Sequence, residues 1–409
     1  MFLTTIPGGE RMGQIENKWR SSIGRRRALL GIGSLLAGSP VLRAQLDPRP
    51  MKEHRRVLGF DEMLTAFDFE KVFSQNVPQW VIDYTDHGAD SEWNLRRNRH
   101  AFDWVDIVER PRNDGATIVT ATELFGTPMA FPILVAPTAA QGPRHPDGEM
   151  GMQVGATAAS ATMLVSLGAS HPIEKIAAAA KGPLWYQYTP RRNPEEVLAR
   201  AQAAGCRVLA VTVDNRALYY ERDLHSRHLG GNPRSSARPM TGVGSSSWNP
   251  YGVSEIMGPG LSWNHLDEVR RVFKGPMLLK GVVTPADAQL ALEHGIEGII
   301  VSNHGGRALD YGPSTLEALP GIVDAVRGRV PVLIDSGFRR GSDVFKALAL
   351  GANGVMLGRA TRWGLGAFGS AGVQRLLEIV QAELTDTMKR AGRPTLASID
   401  RTAVRSDFP

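Results

Sequence analysis

Residues 280–307 read KGVVTPADAQLALEHGIEGIIVSNHGGR. A lysine closes one apolar run, an Ala-rich stretch of helical spacing follows Pro285, and a second apolar run ends in Ser302, Asn303, His304, two glycines and Arg307. Strand, helix, strand without a hairpin signal is the building unit of a parallel sheet. A base, two cations and a flexible turn stand together at the strand ends. That arrangement suits removal of a proton from an anionic substrate beside an electron-poor cofactor.

Working outward, the same rhythm fills most of the chain. Apolar runs that read as buried strands are Pro132–Ala136, Met163–Ser166, Leu184–Tyr188, Val208–Val213, Met277–Lys280, Gly298–Ser302, Val332–Asp335 and Gly354–Leu357. Ala-rich helical stretches separate most of them, among them Met150–Ala161, Pro285–His294 and Ala371–Lys389. Eight such units predict an α/β fold, a closed (β/α)8 TIM barrel, preceded by a helical segment over residues 60–100. A barrel places its chemistry just past the C-terminal ends of its strands. Polar residues recur there: Thr138, Ser166, Gln187, Thr212 with Asp214, Lys280, Ser302 with His304, Asp335 and Arg359. One interval breaks the rhythm, a long Gly-, Ser- and Pro-rich loop after strand four, over about residues 214–262. It reads either as a mobile cover over the barrel mouth or as surface disorder.

Two domains are expected, a leader over residues 1–50 and the barrel over 51–409. The chain carries a net charge of +6 and a pI near 9.5. Arg11, Lys18, Arg20, Arg25, Arg26, Arg27 and Arg43 crowd the first segment, so the excess is local and gives little support to nucleic-acid binding. Residues 21–45, SSIGRRRALLGIGSLLAGSPVLRAQ, place a basic cluster before a short apolar run too brief to span a membrane comfortably. This layout resembles a twin-arginine export signal, with cleavage near Ala44, and implies an exported, periplasmic or cell-envelope protein. If the leader does not function, the protein is cytoplasmic. The single cysteine, Cys206, begins an apolar run and reads as a buried small side chain rather than a nucleophile.

At the last two strands, VLIDSGFRR (332–340) and VMLGR (355–359) each end in glycine beside arginine. Backbone N–H groups at Gly337 and Gly358, with charge from Arg339 or Arg359, suit a phosphate, the usual ligand of the loops after strands seven and eight. His304 follows strand six, where Asp214 from strand four can orient it and stabilise its protonated form. Arg307 can pair with a substrate carboxylate. No metal is expected.

The blocks SNHGGRALDYGPSTLEALP (302–320) and DSGFRRGSDVFKALALGANGVMLGR (335–359), supported by APTA, TVD and ERD, resemble the FMN-dependent 2-hydroxy-acid oxidases and dehydrogenases. The resemblance runs from about residue 60 to 400. It implies FMN at the barrel mouth, touched by Pro137, Thr138, Ala139, Ser166, Gln187, Thr212, Lys280 and Ser302. Its phosphate would lie against Asp335, Ser336, Gly337, Phe338 and Arg339, with Gly358 and Arg359. It further implies His304 as base, Lys280 as the cation facing the reduced flavin, and Tyr84 and Arg307 as holders of the substrate carboxylate. The electrons then pass to oxygen, a quinone or a carrier protein, and a homotetramer is expected from the family.

Three departures bear on substrate. The second carboxylate-binding arginine of the family is replaced by Tyr220, in Tyr219-Tyr220-Glu221-Arg222-Asp223. Gln187-Tyr188-Thr189 is followed by a shortened loop, so Tyr188 either supplies the active-site phenol from a shifted position or the phenol is missing. Gly168 stands where glycolate oxidase has a bulky aromatic, which favours a bulky or aromatic substrate side chain. The rival readings are an FMN barrel acting on a different substrate and a flavin-binding protein without turnover.

Overall fold

Eight short parallel strands close on themselves in the computed structural model, which describes residues 57–110, 115–190, 194–214 and 263–409. They are β1 (Ile133–Val135), β2 (Thr162–Ser166), β3 (Leu184–Tyr188), β4 (Leu209–Thr212), β5 (Met277–Val282), β6 (Gly298–Val301), β7 (Val332–Ile334) and β8 (Gly354–Leu357). Their order is sequential, and β8 returns to β1 with Val355 opposite Ile133. The (β/α)8 barrel expected from the sequence is the observed fold. Both faces of each strand are covered, the inner by facing strands and the outer by helices, so the strands read as continuous apolar runs.

Among the described residues three α-helices precede the barrel, α1 (Ala66–Asn76), α2 (Gln79–Asp86) and α3 (Trp93–His100). The surrounding helices are α4 (Gly148–Ala158), α5 (Ile173–Ala179), α6 (Glu195–Ala203), α7 (Trp263–Val272), α8 (Pro285–Glu293), α9 (Thr315–Val326), α10 (Gly341–Ala349) and α11 (Arg359–Arg390). The last runs as two segments either side of Phe368 and Gly369; the second begins close to the expected Ala371, and the first, from Arg359, was not expected. A Cβ at Gly366 would stand 2.4 Å from the Phe73 ring of α1. The helix bends at Phe368 and Gly369, whose backbone angles are not helical.

One buried residue from each strand, Leu134, Leu164, Trp185, Ala210, Leu278, Ile300, Leu333 and Met356, forms an interior cluster distinct from the outer core. A hairpin the sequence did not announce, Thr122–Leu124 paired with Thr127–Met129, joins this cluster through Leu124, Met129 and Phe125. Trp185 meets Phe125 edge-on at 5.6 Å and donates from Nε1 to Thr127 Oγ1 at 3.0 Å. Strand side chains alternate between faces, so the residues two positions on point into the same interior nearer the C-terminal end. These are Ala136, Ser166, Gln187, Thr212, Lys280, Ser302, Asp335 and Gly358. The barrel interior therefore turns from apolar to polar within one layer.

The leader, the residues around Tyr220 and the long interval after β4 lie outside the described residues.

Candidate active site

The polar layer is internally bonded. Ser166 Oγ donates to Gln187 Oε1 at 2.9 Å, and Gln187 Nε2 donates to Thr212 Oγ1 at 2.8 Å and Thr189 Oγ1 at 3.0 Å. On the other side Lys280 Nζ lies 2.8 Å from Ser302 Oγ and 3.2 Å from Asp335 Oδ2. Lys280 is buried at 4% exposure. Burial works to strip its proton, but Asp335 and Asp214 outweigh it and hold the ammonium above its ordinary range.

His304 stands on a turn whose conformation is set from several sides. Its φ of 59° is left-handed, unfavourable for a residue with a Cβ. The turn is held by His304 N–H on Ser302 Oγ at 3.1 Å, Gly305 N–H on Ser336 Oγ at 3.0 Å and Gly306 N–H on Asn303 Oδ1 at 3.0 Å. At Gly306 (φ 75°) a Cβ would fall 2.5 Å from the Leu95 amide nitrogen of α3, so the second glycine of the motif is dictated by close approach. Asn303 and Asn98 of α3 exchange reciprocal amide hydrogen bonds, each 2.8 Å.

His304 Nδ1 lies 3.0 Å from Asp214 Oδ1, the pairing expected from the sequence. A bulge in β5 makes room for it. Gly281 has φ 112°, and a Cβ there would come within 2.7 Å of Asp214 Cβ. Burial pushes the Asp214 carboxyl up, but the charges of His304 and Lys280 prevail and hold it below the usual carboxylate value. His304 keeps about a third of its side chain exposed while Asp214 is buried.

The third cluster gathers on Tyr84, near the end of α2. Arg307 Cζ lies 4.9 Å from its ring centroid, with Arg144 at 5.2 Å and Arg362 at 5.7 Å. Arg307 Nη1 donates to His87 O at 2.6 Å. Arg359 donates to Thr85 O at 2.8 Å, Gly305 O at 2.7 Å and His87 O at 3.0 Å, tying α2 to the His304 turn. Arg339 lies over the Trp363 ring at 4.5 Å and donates to Phe338 O at 2.7 Å. Arg144 and Arg362 were not anticipated. The available signal was a charged residue set among small and apolar neighbours, ATRWGLG in the case of Arg362.

Two expected contacts are corrected. Tyr188 does not face the mouth, because inward pointing alternates and Gln187 takes the inner face. Tyr188 is fully buried and its ring stacks on His265 of α7 at 6.2 Å, which makes it a core residue. Phe338 is likewise a core side chain, 5.0 Å from Phe102 and edge-on, so only its backbone faces the loop after β7.

The residues present fit FMN. Hydroxyls, an amide and a buried ammonium make a floor of donors and acceptors suited to a heteroatom-rich ring edge. Gly358 has no crowding that demands a glycine. A Cβ there would meet only Ala136 and Thr138 at 3.7 and 3.8 Å, so its bare backbone leaves room for something other than protein. The buried arginines suit a phosphate. Pro137, Thr138 and Ala139, immediately after β1, and Ser336–Gly337, after β7, edge the same mouth.

Comparison with known proteins agrees. The family model described as FMN-dependent dehydrogenase matches residues 73–406. Glycolate oxidase 3 of Arabidopsis thaliana is 37% identical over 361 residues, covering 85% of this chain and 97% of its own length. Glycolate oxidase of Spinacia oleracea is 37% identical over 358 residues, covering 85% and 97%. Among solved structures, a mandelate oxidase with (S)-2-phenylpropionate superimposes with a TM-score of 0.73 at 31% identity, over 85% of this chain and 99% of that one. A protein of Pediococcus acidilactici described as a lactate oxidase gives 0.76 at 32%, over 85% and 96%.

Proposed function

Since the chain belongs to the FMN-dependent dehydrogenase family, with FMN as cofactor and 2-hydroxy acids as the substrates of its relatives, we propose that it oxidises a 2-hydroxy acid with a bulky or aromatic side chain to the 2-oxo acid. The observation that carries the reading is the His304–Asp214 contact of 3.0 Å at the barrel mouth, one strand from buried Lys280. Bound FMN supplies the two-electron acceptor. With Nδ1 engaged by Asp214, Nε2 is the ring nitrogen left to take the substrate proton, and the Asp214 carboxylate stabilises the imidazolium that results. The Lys280 ammonium provides positive charge where the reduced cofactor gains negative charge. Tyr84 and Arg307 hold the substrate carboxylate. A small-molecule electron acceptor or a carrier completes the cycle.

Support for a larger substrate comes from Gly168. It follows β2 at the same mouth, and its amide donates to Ser166 Oγ at 3.2 Å, beside the flavin floor. A Cβ there would stand 3.0 Å from Ala139 Cβ, so the support is the missing aromatic itself, which projects nothing towards the mouth. Mixing the holoprotein anaerobically with a panel of 2-hydroxy acids tests the reading through bleaching of the flavin. Mandelate-sized acids should bleach it faster than glycolate, and His304→Ala should abolish bleaching while FMN stays bound. Bleaching by glycolate alone would overturn the substrate assignment, and FMN loss in His304→Ala would make the histidine structural.

A further inference from the structure

Arg144 and Arg362 have no duty in the reading so far, yet both lie deep beside Tyr84. They are 4% and 6% exposed. Arg144 donates to Ala140 O and to Thr85 Oγ1, the latter at 3.1 Å, and Arg362 donates to Ala139 O at 2.9 Å. None of these acceptors carries charge. Neither arginine forms an ion pair among the described residues, and the Nε of each is buried without a partner among them. Two carboxylates act on both arginines without a direct ion pair, and Glu149 Oε2 is itself buried without a partner among the described residues. Glu149 Oε1 accepts from the Gln141 and Ser170 amides at 2.8 and 3.0 Å, and Asp86 Oδ1 accepts from Trp363 Nε1 at 3.1 Å. Burial pushes Arg144 down to about 10 and Arg362 to about 9, and neighbouring arginines add to the fall in each. Buried cations without a direct ion pair are costly, and an arriving anion relieves the cost.

The family's second carboxylate-binding arginine is absent here, its position being Tyr220. We propose that Arg144 and Arg362 replace it, gripping the substrate carboxylate together with Arg307 around Tyr84, so that the clamp is rebuilt from the loop after β1 and the first turn of α11. This rests on the 2-hydroxy-acid reading. It assigns the two arginines to substrate rather than to the phosphate, which is left to Arg339, in the loop after β7, and Arg359, just after β8.

The test uses holoenzyme of wild type, Arg144→Met, Arg362→Met and the double variant. Phenylglyoxylate is titrated as a product-like anion and its binding is read from the absorbance of the bound flavin. Each single variant should raise Kd about 10- to 100-fold, the loss of one charge-assisted contact, with FMN stoichiometry unchanged. The KM preference for mandelate over its uncharged amide should shrink by a similar factor while kcat changes little. Lysine variants should recover part of the affinity. Unchanged Kd, or loss of FMN from the variants, would overturn the proposal, as would lysine variants no better than methionine ones. Wild-type controls keep the two ideas apart. If no 2-hydroxy acid bleaches the wild-type flavin, the functional reading fails. If bleaching is normal and the variants bind phenylglyoxylate as wild type does, only the rebuilt clamp fails.

Discussion

Lys280 shows how much a single residue of the barrel mouth depends on its neighbours. Its ammonium is buried against Asp335 at 3.2 Å, and its raised pKa is a statement about stability. A group raised on folding contributes stability that is fully present below its unfolded value, 10.5 for lysine, and lost as pH rises through the higher folded value. The fold should therefore keep this contribution through neutral pH and lose it only in strong alkali. Lys280→Met leaves Asp335 buried and unpaired, so we expect a loss of about 3–5 kcal/mol in urea unfolding at pH 7. Adding Asp335→Asn should return part of it, and a double variant as unstable as the single one would contradict the coupling. Asp214, Lys280, His304 and Asp335 were legible because each follows an apolar run. Tyr188 was misread for a reason visible in the same rule. Strand alternation assigns Gln187 inward and its successor outward, and the shortened loop does not change that parity. Arg144 and Arg362 stayed hidden because their partner, Tyr84, is 60 and 278 residues away in sequence.

At the level of elements, α3 acts as a clasp across the loops after β6 and β7. Asp310 accepts the Ser91 and Asn94 amides at 3.0 and 2.8 Å, fixing its start. Arg97 pairs with Glu317 of α9 at 2.6 Å, and Arg99 with Asp343 of α10 at 2.6 Å. Asp343 also accepts the Arg339 and Arg340 amides at 2.8 and 2.9 Å, shaping the loop expected to meet the phosphate. The Asn98–Asn303 pair carries this order to the His304 turn. Asn98→Ala leaves the Asn303 amide and the Thr315 N–H short of a partner, at a cost of about 1–3 kcal/mol. We expect that loss in urea unfolding, together with a lower kcat and little change in FMN content, because the His304 turn loosens while the polar layer proposed to meet the flavin is untouched. Stability equal to wild type would show that the turn holds without α3. Sequence periodicity found nearly all of the barrel strands and helices to within a few residues, since their burial on both faces leaves continuous apolar runs. It missed the Thr122–Met129 hairpin, whose strands are only three residues each, the helix α7, and the segment of α11 before Phe368, where Gly366 serves contact with α1.

For the molecule as a whole, closure of the barrel decides when the cofactor can be held. The residues proposed to contact FMN run from Pro137 to Arg359, and β8 completes the ring by pairing with β1, so the site does not exist until nearly the whole chain has folded. An exported enzyme of this design must either cross a membrane folded and loaded or meet FMN outside. The charge distribution favours the first route. Residues 1–50 hold eight basic residues against Glu10, Glu16 and Asp47, so their removal takes the net charge from +6 to +1 and leaves a nearly neutral barrel. That concentration of positive charge before a short apolar run suits a leader read by an export system for folded proteins, and we propose that Arg26-Arg27 is the pair read. In a host with such a system, the wild-type chain should reach the periplasm shortened and carrying FMN. Replacing Arg26 and Arg27 with lysine should leave a full-length, FMN-loaded and catalytically competent protein in the cytoplasm, because the barrel and its site are untouched. Fractionation, with flavin fluorescence after denaturation as the measure of loading, decides the matter. Undiminished export of the lysine variant would sink the leader assignment, and a wild-type protein reaching the periplasm without FMN would show that loading follows export.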